Sequence, residues 1–291
     1  MLKELPYLNR SFRQIEWLGI SSTSVAATVF YIDNLKLGTA EELATPPPPR
    51  PPKRPLATRP PLPANPQALA GYWSFDEGDG YTAKDLSGCG NDADVGAGWA
   101  TGTFGAALLC DPVAHSATIK DDPTLRFGTT DFSLELWLCP TTLTIDSKDP
   151  RRRFMSKNAY PTTWWNLNLT PEGKPFLEMV DANKVGCTNL PAGVIPPNAW
   201  THFVVVVERA NAKTRYYFNG ALDSAQDIPA AFTGALDVEG GDLSIGSSWQ
   251  PFIGLLNEVK IYRRALAPAE IKASYEKDQG KHSSVAYEAV E

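Results

Sequence analysis

The chain has 291 residues, 43% hydrophobic and 21% charged, with a net charge of −6 at pH 7. That length allows one or two domains with a sizeable core. The acidic balance argues against nucleic acid or an anionic membrane as the main partner, because both need basic patches, and no apolar run approaches the 18 residues of a membrane span.

The opening, MLKELPYLNRSFRQIEW, carries charges where a signal peptide needs its apolar region. This implies either a protein that stays inside the cell or a sequence that begins downstream of the natural N-terminus. IEWLGISSTSVAATVFYIDNLKLG then reads as two strands, Ile15 to Ile20 and Ala27 to Leu37, with a turn-rich stretch between them. Two strands do not make a stable domain, so residues 1–43 are expected to be the hairpin remnant of a truncated β-sandwich module. VFYIDNLKL resembles the final strand of galactose-binding-like jelly rolls, a resemblance that implies a structural-calcium role for Asp33. An orphan hairpin is the alternative.

Residues 44–68 are proline-rich (ATPPPPRPPKRPLATRPPLPANPQ). Repeated prolines remove backbone donors and favour an extended polyproline spacer. From residue 69 to 278 the signals are all β: GYWSF, SATIK, FSLELWL, PFLEMV, WTHFVVVVER, TRYYFNG, DLSIG and FIGLLNEVKIY, separated by turns such as DEGDG, SGCGND, PEGK and DANK. The spacing predicts an all-β, antiparallel jelly-roll sandwich. FSLELWL places Leu134, Leu136 and Leu138 on one face and Glu135 and Trp137 on the other. The Val204 to Val207 run predicts a strand buried on both sides, and Asn219-Gly220 a type I′ hairpin turn. ALAPAEIKASYEK has helical character, with Pro268 early. Residues 279–291 are polar and are expected to fray.

These motifs, from GYWSFDEGDG and DLSGCGNDADV to FIGLLNEVKIYRRALAPAEIKASYE, occur in the order found in LamG-like jelly-roll domains of the concanavalin A-like lectin/glucanase superfamily. The resemblance spans about 210 residues. It implies two packed antiparallel sheets and a secreted or surface, multi-modular protein in which binding or adhesion is more usual than catalysis. Localisation is accordingly expected to be extracellular or at the cell surface.

Three chemistries follow. Glucanases on this fold carry two carboxylates on one strand face, and glycosidic chemistry needs them ~5–10 Å apart. No such pattern occurs: Glu135 is a lone strand carboxylate, Glu178 and Asp181 sit an odd number of steps apart, and His115, His202 and His282 form no catalytic motif. No enzymatic activity is expected. For metals, the resemblance implies one structural calcium near an Asp in the closing strand, a position held here by Asn257. Asp76, Asp85 and Asn257 are the candidate ligands, with turn and hydrogen-bonding roles as the alternative. For sugars, Tyr160, Trp164, Trp165 and Trp249 are the candidate stacking residues. Adjacent strand tryptophans point to opposite faces, so one of Trp164 and Trp165 belongs to the core. Cys89, Cys110, Cys139 and Cys187 lack metal-ligand spacing and are read either as one or two disulfides or as small packed side chains. The expected function is non-enzymatic recognition of a polysaccharide or glycoprotein; the alternative is an architectural module without its own ligand.

Overall fold

The computed structural model of the chain describes residues 68–96, 98–102, 105–111, 116–143, 150–246 and 250–282. The expected N-terminal hairpin, the proline-rich segment, Trp249 and the residues after 282 lie outside that set.

The described chain forms an antiparallel jelly-roll sandwich. Its strands are β1 (Leu69–Trp73), β2 (Thr82–Ala83), β3 (Ala93–Val95), β4 (Trp99–Gly102), β5 (Gly105–Cys110), β6 (Ala117–Ile119), β7 (Phe132–Pro140), β8 (Arg152–Ala159), β9 (Thr163–Leu169), β10 (Pro175–Val180), β11 (Gly186–Asn189), β12 (Thr201–Glu208), β13 (Lys213–Phe218), β14 (Ala221–Asp227), β15 (Leu243–Ile245) and β16 (Gly254–Tyr262). A helix, α1 (Pro268–Asp278), follows. The first sheet runs β14-β13-β12-β7-β16-β5-β4, with β1 also paired to β16. The second runs β11-β10-β9-β8-β15-β6-β3-β2.

Alternation along the strands decides what lies between the sheets. Leu134, Leu136 and Leu138 of β7 face inward, as do Phe203, Val205 and Val207 of β12. They meet Met155, Trp165, Leu167, Leu177 and Leu243 from the second sheet. Asn219 and Gly220, at φ 49° and 77°, make the tight β13–β14 turn that their dipeptide predicts. All four cysteines are free and buried, so the fold contains none of the disulfides that were one reading of them.

The outer face of the first sheet is also closed. Val204, Val206 and Tyr217 pack against Leu266 and Ile271 from the segment carrying α1, which explains the unbroken valine run. Trp137, Cys139 and Leu255 form a second outer cluster, with Tyr275 of the helix against it. Glu135, far from being a lone strand carboxylate, lies under the helix. Its Oε1 accepts from His202 Nε2 (3.2 Å), Lys260 Nζ (2.9 Å) and the Ser274 hydroxyl. Burial alone pushes the Glu135 carboxyl up, but His202, Lys260 and Ser274 outweigh it and bring it to about 2, from an ordinary 4.5.

A carboxyl with a depressed folded-state pKa contributes stability that is present above its unfolded value and lost as the pH falls through the folded one. Urea midpoints should therefore fall between pH 4.5 and about 2, and the decline should be shallower in Glu135→Gln. Glu135→Ala, which strands Lys260 and His202, should cost about 3–5 kcal/mol at pH 7.

Candidate functional site

The second sheet has the opposite character on its outer face. β9, TWWNLNL, alternates strictly: Thr163, Trp165, Leu167 and Leu169 turn inward, and Trp164, Asn166 and Asn168 turn outward. The strand register carries this polarity across the whole sheet. Thr82 pairs with Asp94, Asp94 with Thr118, Thr118 with Ser244, Ser244 with Ser156, Ser156 with Asn166, Asn166 with Glu178, and Glu178 with Thr188. Eight strands thus contribute one polar side chain each to a single row. At ~4.8 Å per strand its seven spacings reach about 34 Å.

The row is exposed or half-exposed toward its ends and buried at its centre, where Ser156 and Asn166 are 4% and 3% exposed. Beside it lies a second row, Arg153–Asn168–Phe176, and on the other flank Asn158–Trp164–Val180. Arg153 Nε donates to Asn168 Oδ1 at 3.4 Å. Asn168 Nδ2 and Asn166 Oδ1 are buried without a hydrogen-bond partner. An unmatched buried polar group costs ~1–3 kcal/mol, so two on neighbouring outward positions of one strand are a feature that packing alone does not explain. Arg151, just before β8, reaches Glu178 on β10 at 3.4–3.5 Å and so spans β9. Trp164 is half-buried beside this centre, and Tyr160, in the β8–β9 turn, is 84% exposed. Tyr160 is the one exposed aromatic side chain among the described residues.

The sequence candidates separate accordingly. Trp164 lies on the outer face of β9, and Tyr160 is exposed in the adjoining β8–β9 turn. Trp165 is a correction: it is 0% exposed, with its ring 5.7 Å from that of Phe127 in the core, so no ligand reaches it. Ser156, Asn166, Asn168 and Glu178 were missed. The outward asparagines of WWNLNL were a readable signal, whereas their alignment with Ser156 and Glu178 depends on pairing between strands.

The expected calcium ligands do not form a donor set. Asp85 is taken by three backbone amides: Oδ1 accepts from Tyr72 (3.0 Å) and Ser87 (2.9 Å), and Oδ2 from Asn91 (2.8 Å). Asn257, 0% exposed, donates its amide to the carbonyls of Ser74 (2.6 Å) and Ala106 (2.9 Å) and turns Oδ1 to His282 Nε2 (3.0 Å). Asp76 Oδ1 accepts from Lys281 Nζ at 2.6 Å. Among the described residues no group of three or more His, Cys, Asp or Glu side chains is placed to hold a metal ion. The donors present do not fit the calcium that the resemblance implied: each is already engaged, and a positive charge stands at Asp76. Lys281 and His282 are themselves engaged, and the rest of the expected tail, 283–291, lies outside the described residues.

A sequence profile described as the concanavalin A-like lectin/glucanases superfamily matches residues 113–272. No curated protein sequence matches the chain. Solved structures with this fold include the binding domain of Paraclostridial Mosquitocidal Protein 1 (18% identity, TM-score 0.61, 72% of this chain and 52% of that one). Another is the ligand-binding domain of botulinum neurotoxin serotype D in complex with N-acetylneuraminic acid (14%, 0.57, 72% and 51%). A third is Domain 4 of AbnA, a GH43 extracellular arabinanase from Geobacillus stearothermophilus, in complex with arabinotriose (23%, 0.53, 70% and 97%). The matched part spans about half the length of the two toxin domains. Among the described residues no helix is long and apolar enough to cross a membrane.

The two adjacent tryptophans give a direct check on which face is which. Trp165→Ala should cost about 3–5 kcal/mol in urea unfolding, as for a large core truncation. Trp164→Ala should cost about 1 kcal/mol or less, within the range of a surface change.

Proposed function

The chain belongs to the concanavalin A-like lectin/glucanases superfamily, and we propose that its sandwich is a non-enzymatic module recognising a polysaccharide or glycoprotein through the outer face of the second sheet. The observation that carries this reading is the polar row across eight strands, half-exposed or exposed toward its ends, with half-buried Trp164 flanking its centre. Sugar hydroxyls donate and accept at once, so a surface of hydroxyl and amide side chains suits them. A half-buried indole supplies an apolar face for the sugar ring. The AbnA domain in complex with arabinotriose and the botulinum D domain in complex with N-acetylneuraminic acid lend a precedent on the same fold.

Distance supports the non-catalytic half of the reading. The carboxylates in the row are Asp94 on β3 and Glu178 on β10, five strand spacings apart. At ~4.8 Å each they lie about 24 Å from one another, against the ~5–10 Å that glycoside hydrolysis needs. Glu135 is closed beneath the helix. We take the module to act outside the cell or at its surface, as part of a larger protein. The architectural alternative draws on Tyr160 being the one exposed aromatic side chain among the described residues.

The test is a glycan array that includes arabino-oligosaccharides and sialylated glycans, read with the full chain in calcium and in EDTA. Binding is expected to be the same in both, and to weaken at least tenfold, about 1.4 kcal/mol, in Trp164→Ala. A blank array from folded protein would remove the recognition reading and leave the architectural one.

A further inference from the structure

The first and last parts of the sandwich meet at a carboxylate pair. Asp76 follows β1, and Glu258 sits at an irregularity of β16, where the register shifts between Asn257 and Lys260 and Glu258 takes φ 53°. Glu258 is 5% exposed, and its Oε2 accepts from the Tyr72 hydroxyl at 2.7 Å. Its Oε1 faces Lys281 Nζ at 3.4 Å, and the same ammonium donates to Asp76 Oδ1 at 2.6 Å. The lysine stem passes over Gly105, where an added Cβ would lie 3.7 Å from Lys281 Cε and 3.8 Å from Asp76 Oδ1. One residue further on, His282 stacks on Trp137 with ring centroids 4.1 Å apart and 8° between planes. Its Nδ1 faces the Asp278 carbonyl and its Nε2 the Asn257 amide oxygen, both at 3.0 Å.

We infer that the ammonium of Lys281 is the resident cation of this junction, doing for Asp76 and Glu258 what a bound divalent ion would otherwise do. Two carboxylates brought together repel, and the buried one also loses hydration, so a positive charge between them is needed to hold β1 against β16. A lysine delivered from beyond α1 meets that need without a metal. The arrangement places a requirement on the chain end: the lysine must be held in reach, and His282, stacked on Trp137 and donating its one N–H to one of the two oxygens it faces, does so. Asn257 belongs to the same device, because its amide is used by the Ser74 and Ala106 carbonyls and its oxygen is turned to His282. The polar row on the other sheet takes no part.

The test is thermal unfolding of the full chain in calcium and in EDTA. The wild-type Tm is expected to be equal in the two, within a degree. Lys281→Ala should melt about 3 °C lower, and Lys281→Arg should stay close to wild type. Asp76→Asn should lower the Tm in the wild-type background and have little effect in Lys281→Ala, since the pair is then already broken. A wild-type Tm raised by calcium would overturn the inference. So would additive effects of Asp76→Asn and Lys281→Ala, which would mean that the two side chains stabilise the fold independently.

Discussion

The Glu135 carboxylate gathers an imidazole from β12, an ammonium from β16 and a hydroxyl from α1, and through them holds the C-terminal helix down on the first sheet. A sheet in a sandwich buries one face against its partner and must do something with the other. Here the first sheet's outer face is covered by the helix, whose docking explains the otherwise unusual burial of Val204, Val206 and Trp137. Hydrophobic packing alone would leave the helix free to slide, because apolar contact is non-directional. A buried charge with three donors is directional, and it is costly to break because each partner would be left unpaired. With that side shut, the second sheet presents the polar face of the molecule.

The two faces therefore differ in chemistry for a reason that lies in their neighbours. Outward positions on β7 and β12 are apolar or aromatic around one charged centre, as a helix-covered surface requires. The central outward row of the second sheet is threonine, serine and asparagine with two carboxylates far apart, flanked by Arg153, Phe176, Trp164 and Val180. Such a surface can make many weak, directional contacts, and the two carboxylates of its row stand about 24 Å apart.

What the sequence reveals follows the same division. Alternation within a strand is local, so FSLELWL, WWNLNL and the valine run disclose their inward faces directly, and Asn219-Gly220 discloses its turn. Relations between strands are not local. Glu135 and His202 are 67 residues apart, and Lys281 and Asp76 are 205 apart. No spacing rule connects them, and each reads in isolation as an ordinary surface charge or a motifless histidine. The half of the row that runs from Ser156 through Ser244 to Thr118 is hidden for the same cause, since it needs the β6–β15–β8 pairings, which join distant parts of the chain. Asp85 shows the reverse error. An acidic residue in a turn invites a metal reading, while the backbone amides of Tyr72, Ser87 and Asn91 already use its oxygens.

The pairing of β1 with β16 also has a mechanical side. Leu69 lies opposite Tyr262 and Trp73 opposite Val259, and Lys281 returns to Asp76 just past the far end of β1. The start of β1 and the Lys281–Asp76 contact therefore lie on opposite sides of one short strand. Tension pulling on them runs parallel to that strand and loads its hydrogen bonds together in shear, instead of peeling them one by one. No strand of the second sheet pairs with β1 or β16, so such a load does not pass through the hydrogen-bond ladder that carries the polar row.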